Sequence, residues 1–187
     1  MNIFDFLKNT FAKNESSGWR EAAKNSNLTI KIPQPKFSDI KLCVHLNTAE
    51  ETRKKLENLL INNWSARADN LLEEFFQICS SDDVIPNFPK EIETIVLDGY
   101  KKKPNQESIK KKVATIYIRH ELNVLKNSLE LDKGRMVDVK KVKIRTCEDG
   151  RVCPACRKHS KKTYSLEKVP KLPLCWECRC YYELVIR

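Results

Sequence analysis

Apolar positions recur along the chain in two rhythms, and the change from one to the other divides it. Ile3, Phe4, Leu7 and Phe11 share one face of a short amphipathic helix over residues 3–11, which we expect to dock on the core rather than on a membrane. Residues 12–27 are polar and read as a linker. Leu28, Ile30 and Ile32 alternate until Pro33 and Pro35 break the run, and Ile40, Leu42, Val44 and Leu46 alternate again, so two short strands are expected. Cys43 and His45 would share the opposite face of the second strand, as ordinary strand residues.

From Ala49 the period becomes helical. Thr48-Ala49-Glu50-Glu51 fits a capping box. Leu56, Leu59, Leu60, Trp64, Leu71, Leu72, Phe75, Phe76 and Cys79 then form one apolar stripe, predicting a single helix over 49–79 with Trp64 and the two phenylalanines in the core and Cys79 as a buried thiol. A turn-rich loop over 81–89 leads to a short helix from Lys90 that ends at Gly99, a residue suited to a left-handed stop. After Pro104, the positions Ile109, Val113, Ile116, Tyr117, Leu125 and Leu129 predict a second long helix, Ser108 to Leu131, stopped near Gly134. From Met136 the period is two: Val137 and Val139 alternate with polar residues, then Val142 and Ile144 do so in shifted phase, as at a bulge. The expectation is an α+β fold with a mainly helical N-terminal region (1–104) and a C-terminal helix-plus-β module (105–187), without internal repeats.

Charge follows the same division. Residues 1–100 carry 12 Lys/Arg against 15 Asp/Glu and residues 101–187 carry 23 against 10, so the net +10 is a −3 half joined to a +13 half. Clustered cations favour a polyanionic partner, and Lys101, Lys102, Lys103, Lys110, Lys111, Lys112, Lys158, Lys161 and Lys162 are candidate phosphate contacts. The same lysines can equally solvate helix faces. They are not interleaved with aromatic residues, which weakens a single-strand stacking groove, and no sequence-reading motif is present. An apolar fraction of 41% is enough for a packed core, which disfavours wholesale disorder. Neither a membrane-length apolar run nor the pattern of a secretory signal is visible.

The sharpest chemistry lies in the cysteines. Six of the eight fall within 34 residues, and two pairs, Cys153/Cys156 and Cys175/Cys178, have C-x-x-C spacing with 18 residues between them. Two intervening residues let both thiolates of a tight turn point inward, and two such turns supply four corners of a tetrahedron. One Zn²⁺ held by Cys153, Cys156, Cys175 and Cys178 would have no open position and would be structural. Cys147 and Cys180 are spares on this reading, with Cys180 or His159 able to substitute for one ligand. A Cys147–Cys180 disulfide would require an oxidising setting, and two C-x-x-C disulfides would be strained or redox-active. No P-loop, HExxH or Ser/His/Asp arrangement appears, so no enzyme is expected. A zinc-dependent nuclease using His120, Glu121 and His159 is the alternative.

The segment Asp149-Gly150-Arg151-Val152-Cys153-Pro154-Ala155-Cys156, followed by Pro173-Leu174-Cys175-Trp176-Glu177-Cys178-Arg179-Cys180, resembles the signature of the phage Mu F-like minor head, or head morphogenesis, proteins. Cys175 stands where that family usually has histidine, an exchange of one good zinc ligand for another. Arg119-His120-Glu121-Leu122-Asn123 resembles the family's helical R-T-E motif, with His120 at the hydroxyl position. Arg119 and Glu121 cannot face one another on a helix, so each is expected to pair elsewhere. Arg179 is expected to orient a carboxylate or carbonyl near the knuckle. The resemblance spans about residues 115–185. It implies a structural, low-copy protein near the portal vertex, contacting portal and head proteins, with packaged DNA as a further partner of the basic half. The expected location is the host cytoplasm during assembly and then the virion, with neither a membrane nor a small-molecule substrate involved. The alternative role is a basic zinc-ribbon nucleic-acid-binding protein.

Overall fold

The computed structural model describes residues 40–81, 87–101, 104–147 and 152–185. The expected helix over 3–11, the linker, the strand at Leu28–Ile32 and the lysines Lys102 and Lys103 lie outside the described residues, as do Asp149, Gly150 and Arg151. Within them run α1 (Glu50–Asn62), a 3₁₀ turn (Ala68–Leu71), α2 (Leu72–Ser81), α3 (Lys90–Asp98), α4 (Gln106–Met136), β1 (Lys141–Arg145), α5 (Pro154–Ser160), β2 (Thr163–Ser165) and β3 (Tyr181–Val185). The fold is α+β: five α-helices and one three-stranded antiparallel sheet among the described residues, with a C-terminal cysteine cluster. None of these helices is long and apolar enough to cross a membrane.

The expected 49–79 helix is two helices. Asn63 closes α1: its backbone N–H reaches the carbonyls of Leu59 and Leu60, and its side-chain amide donates to Leu59 O at 2.9 Å. Asparagine competes for backbone groups in this way, which makes it a poor helix interior residue. The stripe also has a polar gap after Trp64, which is 39% exposed rather than core. Ala49, not Thr48, is the N-cap of α1 and makes no side-chain cap bond. The capping box is therefore not formed, and Thr48 Oγ1 is buried without a hydrogen-bond partner. Phe75 and Cys79 are buried as expected, with Phe76 packed against the same core.

Residues 40–46 also depart from expectation. They form no strand; Leu42, Cys43 and Leu46 turn inward while Val44 and His45 are exposed. Cys43 adopts φ 53°, a left-handed conformation rare for a residue with a side chain. Its N–H donates to Glu121 Oε2 at 3.0 Å, a bond spanning 78 positions. Glu121 thus pins this segment onto α4. The carboxylate is almost wholly buried, at 2% exposure, and desolvation pushes its pKa up to about 7 despite the Cys43 N–H.

Gly99 ends α3 at φ −77°, so it stops the helix without the left-handed turn. Asn105 caps α4 through its side chain, which accepts from Ser108 N at 2.7 Å. At 31 residues α4 is about 46 Å long, and it serves two cores. Its first two-thirds, from Ile109 to Leu125, closes the helical core with Leu42, Leu56, Leu60, Phe75, Ile92 and Val96. Gly134 lies inside the helix rather than beyond it. A Cβ there would come within 2.8 Å of Leu184 and 3.1 Å of Leu166, so glycine allows the sheet to approach the helix closely.

The phase shift seen from Met136 is no bulge. Val137 caps the helix, Asp138 turns at φ 53°, and only Lys141–Arg145 is strand. The sheet order is β2-β1-β3, with Val142 opposite Leu184 and Ile144 opposite Tyr182. These residues face the second core, and Lys141, Lys143 and Arg145 fall on the other face by strand alternation. Arg145 there pairs with Glu183.

Candidate metal centre

Both C-x-x-C turns point their sulfurs into one place. Cys153 precedes α5 as its N-cap, with Pro154 at the first helical position, and its Sγ accepts from Cys156 N at 3.3 Å. The second pair lies on a turn closed by Cys178 N donating to Cys175 O at 3.0 Å. The turns meet face to face: Cys153 Sγ is 3.5 Å from Cys175 Sγ, and Cys156 Sγ is 3.5 Å from Cys178 Sγ. Four thiolates around one zinc ion at about 2.3 Å would lie about 3.8 Å apart, close to these two spacings, although the four sulfurs do not all lie within 4.8 Å of one another.

A fifth sulfur joins them. Two groups can each hold a metal ion, Cys153/Cys156/Cys175 and Cys156/Cys178/Cys180, and within each the sulfurs lie within 4.8 Å of one another. His159 belongs to neither; its Nδ1 pairs with the Tyr164 hydroxyl at 2.7 Å. Cys147 is exposed, with its Sγ donating to Arg179 O at 3.5 Å, and the structure contains no Cys147–Cys180 disulfide.

Burial opposes ionisation of most of these thiols. Desolvation pushes Cys175 and Cys180 up to about 12 and raises Cys156 as well. Desolvation also acts on Cys153, but the Cys156 N–H and neighbouring donors outweigh it and pull that thiol down. A thiolate set in this setting needs a cation to supply the missing stabilisation, and binding one releases protons. An all-sulfur donor set is soft and suits thiophilic ions.

The second knuckle is held from behind by two residues the sequence reading did not single out. Asn123 Nδ2 donates to Cys178 O at 2.8 Å, and Asn127 Nδ2 donates to Cys180 O at 3.2 Å. Asn127, only 2% exposed, also accepts from Tyr182 N at 3.2 Å and donates to Asn123 Oδ1 at 2.8 Å. One signal was present: two asparagines four positions apart on the apolar side of a helix are poor helix formers and need a reason to be there. The Tyr182 hydroxyl completes the frame, donating to Pro170 O at 2.7 Å and accepting from Leu172 N at 2.9 Å.

Trp176, between Cys175 and Cys178, leaves the sulfur cluster and packs against the helical core. Its ring lies 4.3 Å from His120 and 6.2 Å from Tyr117, with His45 edge-on at 5.4 Å. Burial pushes His120 down to about 4, against a hydrogen bond with the Cys175 backbone, so the imidazole is neutral at pH 7. His120 and Glu121 therefore have structural partners on α4, while Arg119 is exposed on that helix and Arg179 is exposed beside the knuckle.

The candidate phosphate contacts divide. Lys110 Nζ lies 5.3 Å from the Phe76 ring centroid, Lys112 Nζ lies 5.2 Å from that of Tyr100, and Lys111 pairs with Glu107 at 2.7 Å. This run is folded back onto its own chain. Lys101 is exposed, and so are Lys158, Lys161 and Lys162 around the end of α5. Comparison with protein-family models, curated proteins and solved structures finds no match to the chain.

Proposed function

We propose that this protein acts by docking rather than by catalysis, and that its C-terminal module is a structural zinc centre fixed to the spine helix α4. The observation that carries this reading is the meeting of two C-x-x-C turns, sulfur to sulfur at 3.5 Å in both pairs. Cys153, Cys156, Cys175 and Cys178 would hold the ion, which supplies a cross-link between α5 and the loop leading into β3. Asn123 and Asn127 fix the backbone of the ligand-bearing turn, as the outer shell of a metal site does. Full-length protein purified without added metal should contain about one zinc per chain. Metal-free protein with an unchanged C-terminal fold would overturn the assignment.

The resemblance of the cysteine elements to phage minor head proteins supports a role in head morphogenesis, with portal and head proteins as partners and the virion as destination. The test is mass spectrometry of purified particles from a strain carrying the gene. The chain should be present in a few copies per particle, and its absence from particles and assembly intermediates would remove this role. A second reading, nucleic-acid binding by the zinc module, is favoured by Lys158, Lys161 and Lys162. All three are exposed. DNA affinity falling steeply with salt, by several phosphates' worth of slope, would support it. Negligible binding at moderate salt would exclude it.

A further inference from the structure

We propose that the centre takes up a second thiophilic d¹⁰ ion beyond the one retained on purification, with the Cys156 thiolate bridging the two. The inference rests on the metal-centre reading above and concerns what that centre binds. The sulfurs do not form one tetrad with an outlying neighbour. They form two triangles, Cys153/Cys156/Cys175 and Cys156/Cys178/Cys180, each within 4.8 Å and sharing only Cys156. A zinc-sulfur distance of about 2.3 Å places the corners of a three-sulfur site about 4 Å apart, so each triangle is of a size to hold its own ion. A single tetrahedral ion would leave either Cys178 or Cys180 as a spare buried thiol against the cluster. Both are 4% exposed or less, and both have their backbone carbonyls held by α4 amides. The structure thus positions Cys180 with the same care as Cys178.

Room and donors for the remaining positions are present. A cavity of about 240 Å³ opens over the sulfurs, lined by all six C-terminal cysteines together with Trp176, Glu177 and Arg179. Two four-coordinate ions need eight donor positions, and five sulfurs with one shared supply six. Cys147 and Glu177 line the same cavity and can supply the other two.

Cadmium is a suitable probe because it is thiophilic and its nucleus reports the bound ligands. The metal-free full chain, titrated with NMR-active cadmium and followed by native mass spectrometry, should take up two ions. It should show two cadmium signals, with the Cys156 Hβ protons coupled to both. Cys180→Ser should lower the count from two to one and keep the signal coupled to Cys153 and Cys175. A single signal at saturating cadmium, or Cys156 protons coupled to one nucleus only, would overturn the bridge while leaving a one-ion centre intact. No tightly held cadmium at any ratio would overturn the bridge and the one-ion centre together.

Discussion

The two cores joined by α4 are built from different materials. The helical core is closed by leucine, isoleucine, phenylalanine and tyrosine from four helices and the 40–46 segment, with Phe75, Phe88 and Tyr117 in mutual ring contact. Such side chains contribute about 1.5–3 kcal/mol each on burial, and no other agent is needed. The second core has a short sheet for a base, and three of its eight fully buried residues are cysteines. A module of this size with so few large apolar groups gains its stability from cross-links or metal. The difference teaches where dependence on a cofactor should begin along a continuous helix: past Leu125, the last α4 residue of the helical core, next to the Asn123 and Asn127 amides that hold the second C-x-x-C turn.

Removing the metal is the largest perturbation that tests this contrast. Chelation should abolish amide-exchange protection in β1, α5, β2 and β3 while the helices around Leu60 and Phe75 stay protected, since a structural zinc site contributes on the order of 10 kcal/mol. Equal loss in both regions would break the comparison. The converse perturbation is Phe75→Ala, which should cost about 3–5 kcal/mol in denaturant unfolding of the helical core and leave metal affinity unchanged.

Glu121 offers a pH-dependent test of the first core alone. Its carboxyl titrates near 4.5 in the unfolded chain and near 7 in the folded one. Below about pH 4.5 it is protonated in both states and its contribution is complete. As pH rises toward 7 the unfolded chain has released the proton and the folded chain has not, so stability falls, by an amount on the order of 3 kcal/mol. Glu121→Gln should flatten that slope in urea titrations across this range, because the amide still accepts from Cys43 N. A slope unchanged in the variant would assign it to another group. The smallest effect is expected from Asn127→Ala. It leaves the Cys180 carbonyl and the Tyr182 N–H without their partner, at about 1–3 kcal/mol. Competition with a zinc indicator should show metal affinity weakened about 10- to 100-fold. An affinity equal to that of the unsubstituted chain would detach the helix from the knuckle.

Much of this was legible along the chain. The helical period gave α3 and α4 to within a few residues, alternation gave Val142 and Ile144 as the inward pair, and C-x-x-C spacing gave the cysteine cluster. Three of the misses share a physical cause, a partner far away in sequence, while the broken 49–79 helix has a local one in Asn63. Residues 40–46 alternate as a strand does, but Glu121 holds Cys43 in a conformation no strand allows. Trp64 fits a helical stripe that Asn63 has already ended. The lysines at 110–112 read as free cations until Phe76 and Tyr100 are placed beneath two of them. Cys180 reads as a spare until Asn127 is seen to hold its carbonyl. Local rhythm reports burial, whereas capture of a backbone group by a remote side chain leaves no periodic trace.

The seating of Trp176 has an optical consequence. An indole packed against a neutral imidazole and a tyrosine ring, on the very turn that carries two of the sulfurs, emits from an environment set by that turn. Trp64 emits from near the solvent-exposed end of α1 and is indifferent to it. Among the described residues these two indoles form a lamp and a reference, and the colour and quenching of Trp176 gauge whether the knuckle is docked.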